Sequence, residues 1–99
     1  MAKAERDLEV IDNQEASRYE LFDGEQRLGF ADYKFVPGRI LFTYIEVDPV
    51  LQGHGLGSIL TEAALEDCRD RGLQVTASCP FIIDYLRDHP EYDDIAPRA

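Results

Sequence analysis

The sequence predicts an α+β fold, an α/β sandwich in which an antiparallel meander of strands precedes a β-α-β-α unit. Three observations support this prediction. Short β-prone runs separated by the turn signals Asp23-Gly24 and Pro37-Gly38 fill the first half of the chain. A helix with a clear apolar stripe follows the last of these runs. One more β-prone run and a second helix, which begins at Pro80, complete the pattern.

Four strands form the predicted meander. The first is short and is indicated by Leu8, Val10 and Ile11, and the others cover residues 19–22, 28–36 and 39–47. The fourth strand is rich in β-branched and aromatic residues. Because its apolar residues occur on both faces, we expect it to lie centrally in the sheet, covered above and below.

Helical periodicity dominates the second half of the chain. The first helix has apolar residues at spacings of three and four, namely Leu56, Ile59, Leu60, Ala63, Ala64 and Cys68. Gly72 ends this helix, and residues 73–77 form the next strand. The inward face of the second helix is expected to consist of Phe81, Ile82, Tyr85 and Leu86. His89-Pro90 ends the second helix.

Composition and length limit the possible functions. The 99 residues are expected to form one domain, 1–99, with residues 1–7 flexible, and they contain no apolar run long enough to span a bilayer. No secretory signal is recognisable, so a soluble, cytoplasmic protein is expected. The net charge of −10 disfavours nucleic acid as a partner and favours cationic ligands such as a protonated amine.

Metal binding is not expected from the sequence. Cys68 and Cys79 do not form a C-x-x-C motif, and His54 and His89 do not complete a zinc pattern with them. The two cysteines leave a structural disulfide open, although a cytosolic chain usually keeps its thiols reduced.

The segment between the fourth strand and the first helix has the properties of an anion site. Its glycines allow close approach of the backbone, and the helix dipole adds positive charge. The amides expected to face a pyrophosphate are those of Gly53, His54, Gly55, Leu56, Gly57 and Ser58. A Walker loop would need a lysine after the glycines, and a dinucleotide fingerprint would need a strand at the start of the domain. The pattern Q-x-x-G-x-G, formed by Gln52, Gly55 and Gly57, fits instead.

This loop resembles the coenzyme A pyrophosphate loop of the GNAT acetyltransferase superfamily. A second segment, C-P-F-I-I-D-Y-L-R-D-H-P-E-Y from Cys79 to Tyr92, is similar to the signature of its smallest branch, the YjdJ-like N-acetyltransferase domain proteins. Upstream, F-T-x-x-E-V-x-P also matches, and the resemblance covers residues 10–95.

The resemblance implies a minimal GNAT fold and transfer of an acetyl group from acetyl-CoA to an amine. Two central strands of such proteins splay apart, and the pantetheine arm of the coenzyme enters the gap. The arm is then expected to pair with backbone groups of Ile45 to Val47, and the Ile45 amide to polarise the thioester carbonyl. The acceptor is either a small amine or a protein, and the chain is expected to be a monomer or weak homodimer. The alternative is a coenzyme A-binding or interaction module without turnover.

Three side chains are candidates for catalysis by this resemblance. Cys79 is a nucleophile, a general base or a buried pocket residue. Tyr85 is a general acid beside the coenzyme sulfur or a core residue. Glu46 accepts the amine proton through water or makes a structural hydrogen bond. Leu41 occupies the position at which histone-acetylating relatives carry a catalytic glutamate. The two early helices of longer relatives are missing, so the acceptor face is shallow or completed by another chain.

Overall fold

The computed structural model describes residues 7–51, 53 and 55–97. The predicted flexible residues 1–7 lie outside these ranges, apart from residue 7. Five strands form one sheet in the order β1-β2-β3-β4-β5. The elements, in chain order, are β1 (Leu8–Asn13), β2 (Arg18–Asp23), β3 (Gln26–Val36), β4 (Arg39–Val47), α1 (Leu56–Asp70), β5 (Gln74–Ala77) and α2 (Pro80–Asp88).

The pairing of the strands confirms the predicted α+β architecture. Strands β1 to β4 form an antiparallel meander, and β5 pairs parallel to β4 after the crossover helix α1. The two hairpin glycines after β2 and β3 have positive φ, 61° at Gly24 and 82° at Gly38. Residues that carry a side chain rarely adopt a positive φ, so the backbone conformation of these two turns explains why glycine occurs there.

A β-bulge in β4 decides which face its side chains occupy. The pairing changes from Asp32–Tyr44 to Tyr33–Phe42, so that Thr43 is an extra residue. Before the bulge Phe42 points into the core, and after it Ile45 packs against the same core. Apolar residues at even-numbered and at odd-numbered positions of β4 therefore reach the same face of the sheet.

The prediction that β4 is covered on both faces is consequently wrong. Strand β4 does lie between β3 and β5. However, the buried residues of α1 and α2 join the same hydrophobic cluster as Phe42. On the other face Tyr44 is 49% exposed. Among the residues that the structure describes, no helix covers this second face, which we call the open face; on β3 and β4 it includes Phe30, Asp32, Leu41, Tyr44 and Glu46.

Helix α1 buries a stripe that is rotated from the predicted one. Ile59 was expected in the core but is 38% exposed, whereas Leu65 is fully buried. The buried residues of the helix are Leu56, Leu60, Thr61, Ala64, Leu65 and Cys68. Burial raises the pKa of the Cys68 thiol to about 11, so this side chain stays protonated at neutral pH.

The end of α1 is a Schellman motif. Gly72 has φ 71°, and the N–H of Leu73 donates to the carbonyl of Cys68 at 2.9 Å. The predicted helix stop at Gly72 is confirmed, because only a residue tolerant of left-handed backbone conformations closes this motif without strain.

The C-terminal segment fastens α2 and the end of the described chain to the rest of the fold. Pro80 is the first residue of α2, as predicted. Beyond α2, the N–H of Val75 in β5 donates to the carbonyl of Ile95 at 2.8 Å. Arg69 of α1 forms a salt bridge with Asp94 at 2.8 Å. These contacts tie the C-terminal segment to β5 and α1. The first turn of α2 lies beside the end of β4, with which it shares a cavity.

Candidate active site

Strand β4 extends well beyond its parallel neighbour. Pairing with β5 covers only Arg39 to Phe42, and the final link is the Ser78 N–H donating to the Phe42 carbonyl at 2.9 Å. The chain then turns into α2. The remaining part of β4, residues 43–47, therefore borders a gap on its β5 side.

Backbone groups of β4 point into this gap in a defined pattern. The Asp48 N–H donates to the Leu28 carbonyl at 2.8 Å, so Gly29 and Val47 form a non-hydrogen-bonded pair. Hydrogen-bonded and non-hydrogen-bonded pairs alternate along an antiparallel ladder, so Ala31 and Ile45 also form a non-hydrogen-bonded pair. In such pairs the N–H and C=O groups are directed away from the partner strand. The Ile45 amide is therefore directed away from β3 and into the gap.

A cavity of about 810 Å³ fills the gap and reaches the glycine-rich loop. It is large enough for part of an extended cofactor. Its walls are the end of β4, the loop and the first turns of both helices. The lining residues are Tyr44, Ile45, Glu46, Val47, Pro49, Leu51, Gly53, Gly55, Leu56, Gly57 and Phe81.

The N-terminus of α1 opens onto the same cavity. Gly55 precedes the helix with φ 75° and provides no side-chain cap. The amides of Leu56, Gly57 and Ser58 are the first three of the helix, and such amides have no partner within a helix. They can donate to an anion. Two predicted loop contacts, Gln52 and His54, lie outside the described residues.

Phe81 was predicted from its helical spacing to lie in the core. In the structure it forms a wall of the cavity instead. The side chain is 42% exposed instead of buried. A Cβ atom added to Gly57 would lie 3.0 Å from the Phe81 ring, so the ring packs directly on the backbone of the loop. Helical spacing alone could not reveal this, because the contact joins two helix N-termini that are far apart in the sequence.

The architecture and the comparisons agree on a family. A family model described as GCN5-related N-acetyl-transferase matches residues 18–95. The chain belongs to this family. The predicted GNAT membership is thus confirmed, and the chain is an N-acetyltransferase of that family.

Solved structures of other proteins share the GNAT fold. A GCN5-like protein from Staphylococcus aureus is 29% identical with a TM-score of 0.68, and the match covers 89% of this chain and 86% of that one. The ribosomal-protein-S18-alanine N-acetyltransferase from Escherichia coli has 24% identity and a TM-score of 0.55, with 74% of this chain and 42% of that one covered.

Ard1 from Thermoplasma volcanium also matches, with 24% identity, a TM-score of 0.53, and coverage of 62% of this chain and 43% of that one. The chain thus spans less than half the length of these two longer proteins, whose likeness shows the fold alone. A comparison with curated protein sequences gives no significant match.

Of the three candidate catalytic residues of this GNAT chain, Glu46 alone lines the large cavity. Its carboxylate accepts a hydrogen bond of 2.7 Å from the Tyr44 hydroxyl. This hydrogen bond to Glu46 raises the pKa of Tyr44, so the phenol stays protonated and holds the carboxylate in place. Both side chains lie on the open face.

Cys79 lies at the base of the gap but within the hydrophobic cluster. It is 5% exposed, its thiol is free, and it is not among the residues that line the cavity. It directly precedes α2, where its extended backbone provides no side-chain cap. The surroundings are those of a packed side chain.

Tyr85 lies one turn further along α2 and faces the C-terminal segment. Its ring stacks on His89 with 3.9 Å between ring centroids and lies 6.3 Å from Tyr92. Burial, followed by the charge of Glu62, raises the pKa of Tyr85. It therefore holds its proton at neutral pH but does not line the cavity.

Two further properties concern the described residues. They contain no helix that is long and apolar enough to cross a membrane. Within the same ranges, no group of three or more histidine, cysteine, aspartate or glutamate side chains is arranged to hold a metal ion.

Proposed function

We propose that this GNAT chain transfers the acetyl group of acetyl-CoA to a primary amine. The observation that carries the proposal is the part of β4 that extends beyond its pairing with β5. Its Ile45 amide is directed into a gap that β5 does not fill, and the gap continues to a helix N-terminus. An acyl carrier with an amide-rich arm and a pyrophosphate matches both features.

In this proposal the pantetheine arm pairs with β4 along Ile45 to Val47 and takes the place of a neighbouring strand. The pyrophosphate binds the loop from Gln52 to Ser58, where amides at the start of α1 donate to its oxygens. Phe81 covers the arm from the α2 side. The arm and the pyrophosphate thereby meet groups that can hydrogen-bond to them.

The reaction needs a neutral amine and a polarised thioester. The amine nitrogen attacks the carbonyl carbon, a C–N bond forms, and the carbonyl electron pair moves onto oxygen, where the Ile45 N–H stabilises it. Collapse of this intermediate breaks the C–S bond, and the coenzyme leaves as a thiolate that takes up a proton. The excess proton of the nitrogen passes to Glu46, directly or through water. Because Tyr85 does not line the cavity, the thiolate takes its proton from solvent in this proposal.

Glycine substitutions test the coenzyme site. Gly55→Ala and Gly38→Ala both force a side chain into a left-handed backbone conformation, since their φ angles are 75° and 82°. Neither added Cβ comes within 4 Å of a non-neighbouring atom of the described residues. Each should cost about 1–2 kcal/mol of stability. Only Gly55→Ala is expected to weaken acetyl-CoA binding, by about tenfold or more, in calorimetry. Equal affinities in both variants, or no binding by the unsubstituted protein, would contradict the proposed site.

The role of Cys79 is tested by substitution and mass. Because its thiol is packed in the core, we propose direct transfer without an acetyl-cysteine intermediate. Cys79→Ala should retain most of its turnover, measured as thiol release from acetyl-CoA with lysine peptides as acceptors. Intact-protein mass spectrometry should show no acetyl adduct on the unsubstituted protein. An adduct that disappears in Cys79→Ala would instead identify a covalent intermediate.

Binding of acetyl-CoA without turnover would favour the alternative, a non-catalytic coenzyme-binding module.

We further propose a cytoplasmic location, supported by two thiols that are free in the structure. The partners proposed are acetyl-CoA and the acceptor amine, with the chain acting as a monomer or weak homodimer. The net charge of −10 opposes binding to nucleic acid.

A further inference from the structure

A patch at the β3–β4 hairpin end of the open face takes no part in the proposed function. Buried side chains of β4 and β5, namely Ile40, Phe42 and Val75, point into the core, so the residues that alternate with them point to the open face. Residues paired across neighbouring strands share a face, and the register therefore places side chains of three strands next to each other here. We call this group the hairpin patch; its members are Lys34, Val36, Arg39, Leu41, Gln74 and Thr76.

The hairpin patch is cationic although the protein is strongly acidic, with a net charge of −10. Five of the seven arginine and lysine residues that the structure describes form salt bridges with carboxylates. The other two are Lys34 and Arg39, and neither forms a salt bridge with a described residue. Asp32, the acidic residue of β3, is already paired with Arg18 at 2.8 Å. The patch therefore holds two cations whose charge no described carboxylate neutralises.

Apolar surface lies directly beside these two cations. Val36 is 54% exposed and pairs with Arg39 across the hairpin, while Lys34 pairs with the half-buried Leu41. Side chains of residues that pair directly across two strands are close enough to touch one ligand together. Residues 34–39 are all exposed, so no described part of the chain covers this end of the hairpin. Such a surface fits a ligand in which acidic and apolar side chains are neighbours.

We propose that the hairpin patch binds a segment of another protein that carries acidic and apolar side chains. Carboxylates of the segment pair with Lys34 and Arg39, and an apolar side chain packs on Val36 and Leu41. This inference is independent of the proposed function, because none of the residues of the patch lines the coenzyme cavity.

The distribution of charge favours a short protein segment over an anionic membrane or a nucleic acid. Each cation near an anionic bilayer adds only a small attraction, and the patch offers two. A bilayer or a duplex also presents an extended anionic surface to the rest of the molecule, whose net charge of −10 repels it. A segment of a few residues contacts the patch alone. Salt screens the more distant acidic residues from it, since the screening length is about 8 Å at physiological ionic strength.

The test uses two acetylated and amidated hexapeptides, EEFEEL and QQFQQL, which differ in charge alone. Each is titrated into ¹⁵N-labelled protein without acetyl-CoA, and the backbone amide shifts are followed by NMR. EEFEEL is expected to bind about fivefold or more tightly than QQFQQL, to shift the amides of Lys34, Val36, Arg39 and Thr76, and to weaken as NaCl is added. Equal affinities of the two peptides, or shifts that lie elsewhere, would overturn the inference. Because no coenzyme is present, failure of the proposed function leaves this result unaffected.

Substitutions on the exposed hairpin separate local recognition from a general effect of charge. Lys34→Gln, Arg39→Gln and Val36→Ser should each weaken EEFEEL binding by about threefold, since each removes one of the proposed contacts. Arg87→Gln is the matched control, because it removes one positive charge from the last turn of α2 and should leave the affinity unchanged. The same weakening in Arg87→Gln would show an effect of net charge and would overturn the proposed patch. Phosphatidylserine vesicles that bind the protein and displace EEFEEL would assign the patch to a membrane instead.

Discussion

Replacing the Ile45 backbone N–H with an ester oxygen is expected to lower kcat for acetyl transfer by about 10²–10³-fold. The hydroxy-acid analogue of isoleucine keeps the side chain and the shape of β4 but removes one donor. That donor is directed into the gap because Ala31 and Ile45 form a non-hydrogen-bonded pair. In the proposed reaction it meets the oxygen on which negative charge develops. The coenzyme dissociation constant should therefore change much less than kcat.

A second ester separates loss of catalysis from loss of stability. The Gln74 N–H donates to the Gly38 carbonyl at 3.0 Å, at the opposite end of β4. An ester at residue 74 also removes one N–H from the sheet, and it should lower the free energy of unfolding without lowering kcat. Equal kcat values for the two esters would mean that another group polarises the thioester carbonyl. The measurement is steady-state thiol release at saturating acetyl-CoA, together with urea denaturation of both proteins.

Local signals were sufficient to predict the order of the elements. Turn glycines such as Gly24 and Gly38, and Pro80 at a helix start, act on the backbone of their own neighbourhood. Their effects hardly depend on the rest of the chain. The glycine-rich loop was recognised in the same way, because close approach of the backbone and a helix N-terminus are both local properties.

The faces of β4 could not be predicted, because the bulge at Thr43 depends on pairing with β3. Strict alternation assigns Phe42 and Ile45 to opposite faces. This is why the sequence predicted that both faces of β4 are covered by other parts of the protein. One extra residue reverses the alternation, so both side chains reach the same core. Nothing in the order of residues 39–47 distinguishes these two arrangements.

Two features around the end of β4 depend on contacts between distant segments and were missed for that reason. Phe81 has the spacing of a core residue but packs on the backbone of Gly57. A second cavity, of about 290 Å³, forms where Leu28 and Gly29 approach Glu46 and Asp48. The sequence identified Glu46 as a candidate, but not the second space behind it, because that space is made by the packing of β3 on β4.

Gly29→Ala is expected to destabilise the protein by about 3 kcal/mol, an effect of overpacking against a part of the chain that cannot yield easily. A Cβ atom at Gly29 would lie 2.6 Å from the Glu46 carbonyl oxygen and 3.2 Å from the Val47 Cα. Both atoms belong to the backbone, so relief requires β4 to move away from β3. For a domain of this size the midpoint of thermal unfolding should fall by about 10 °C or more.

Gly57→Ala provides the matched comparison, because it also adds a single Cβ in a crowded place. There the nearest atoms belong to the Phe81 ring, the far end of a side chain that is 42% exposed. A small change in the Phe81 side-chain rotamer moves the ring away, and alanine favours the helix more than glycine does, so the stability should change by less than about 1 kcal/mol. A similar loss of stability in both variants would contradict a backbone clash at Gly29. Because the clash displaces the Glu46–Val47 end of β4, Gly29→Ala should also weaken binding of coenzyme A to any protein that remains folded.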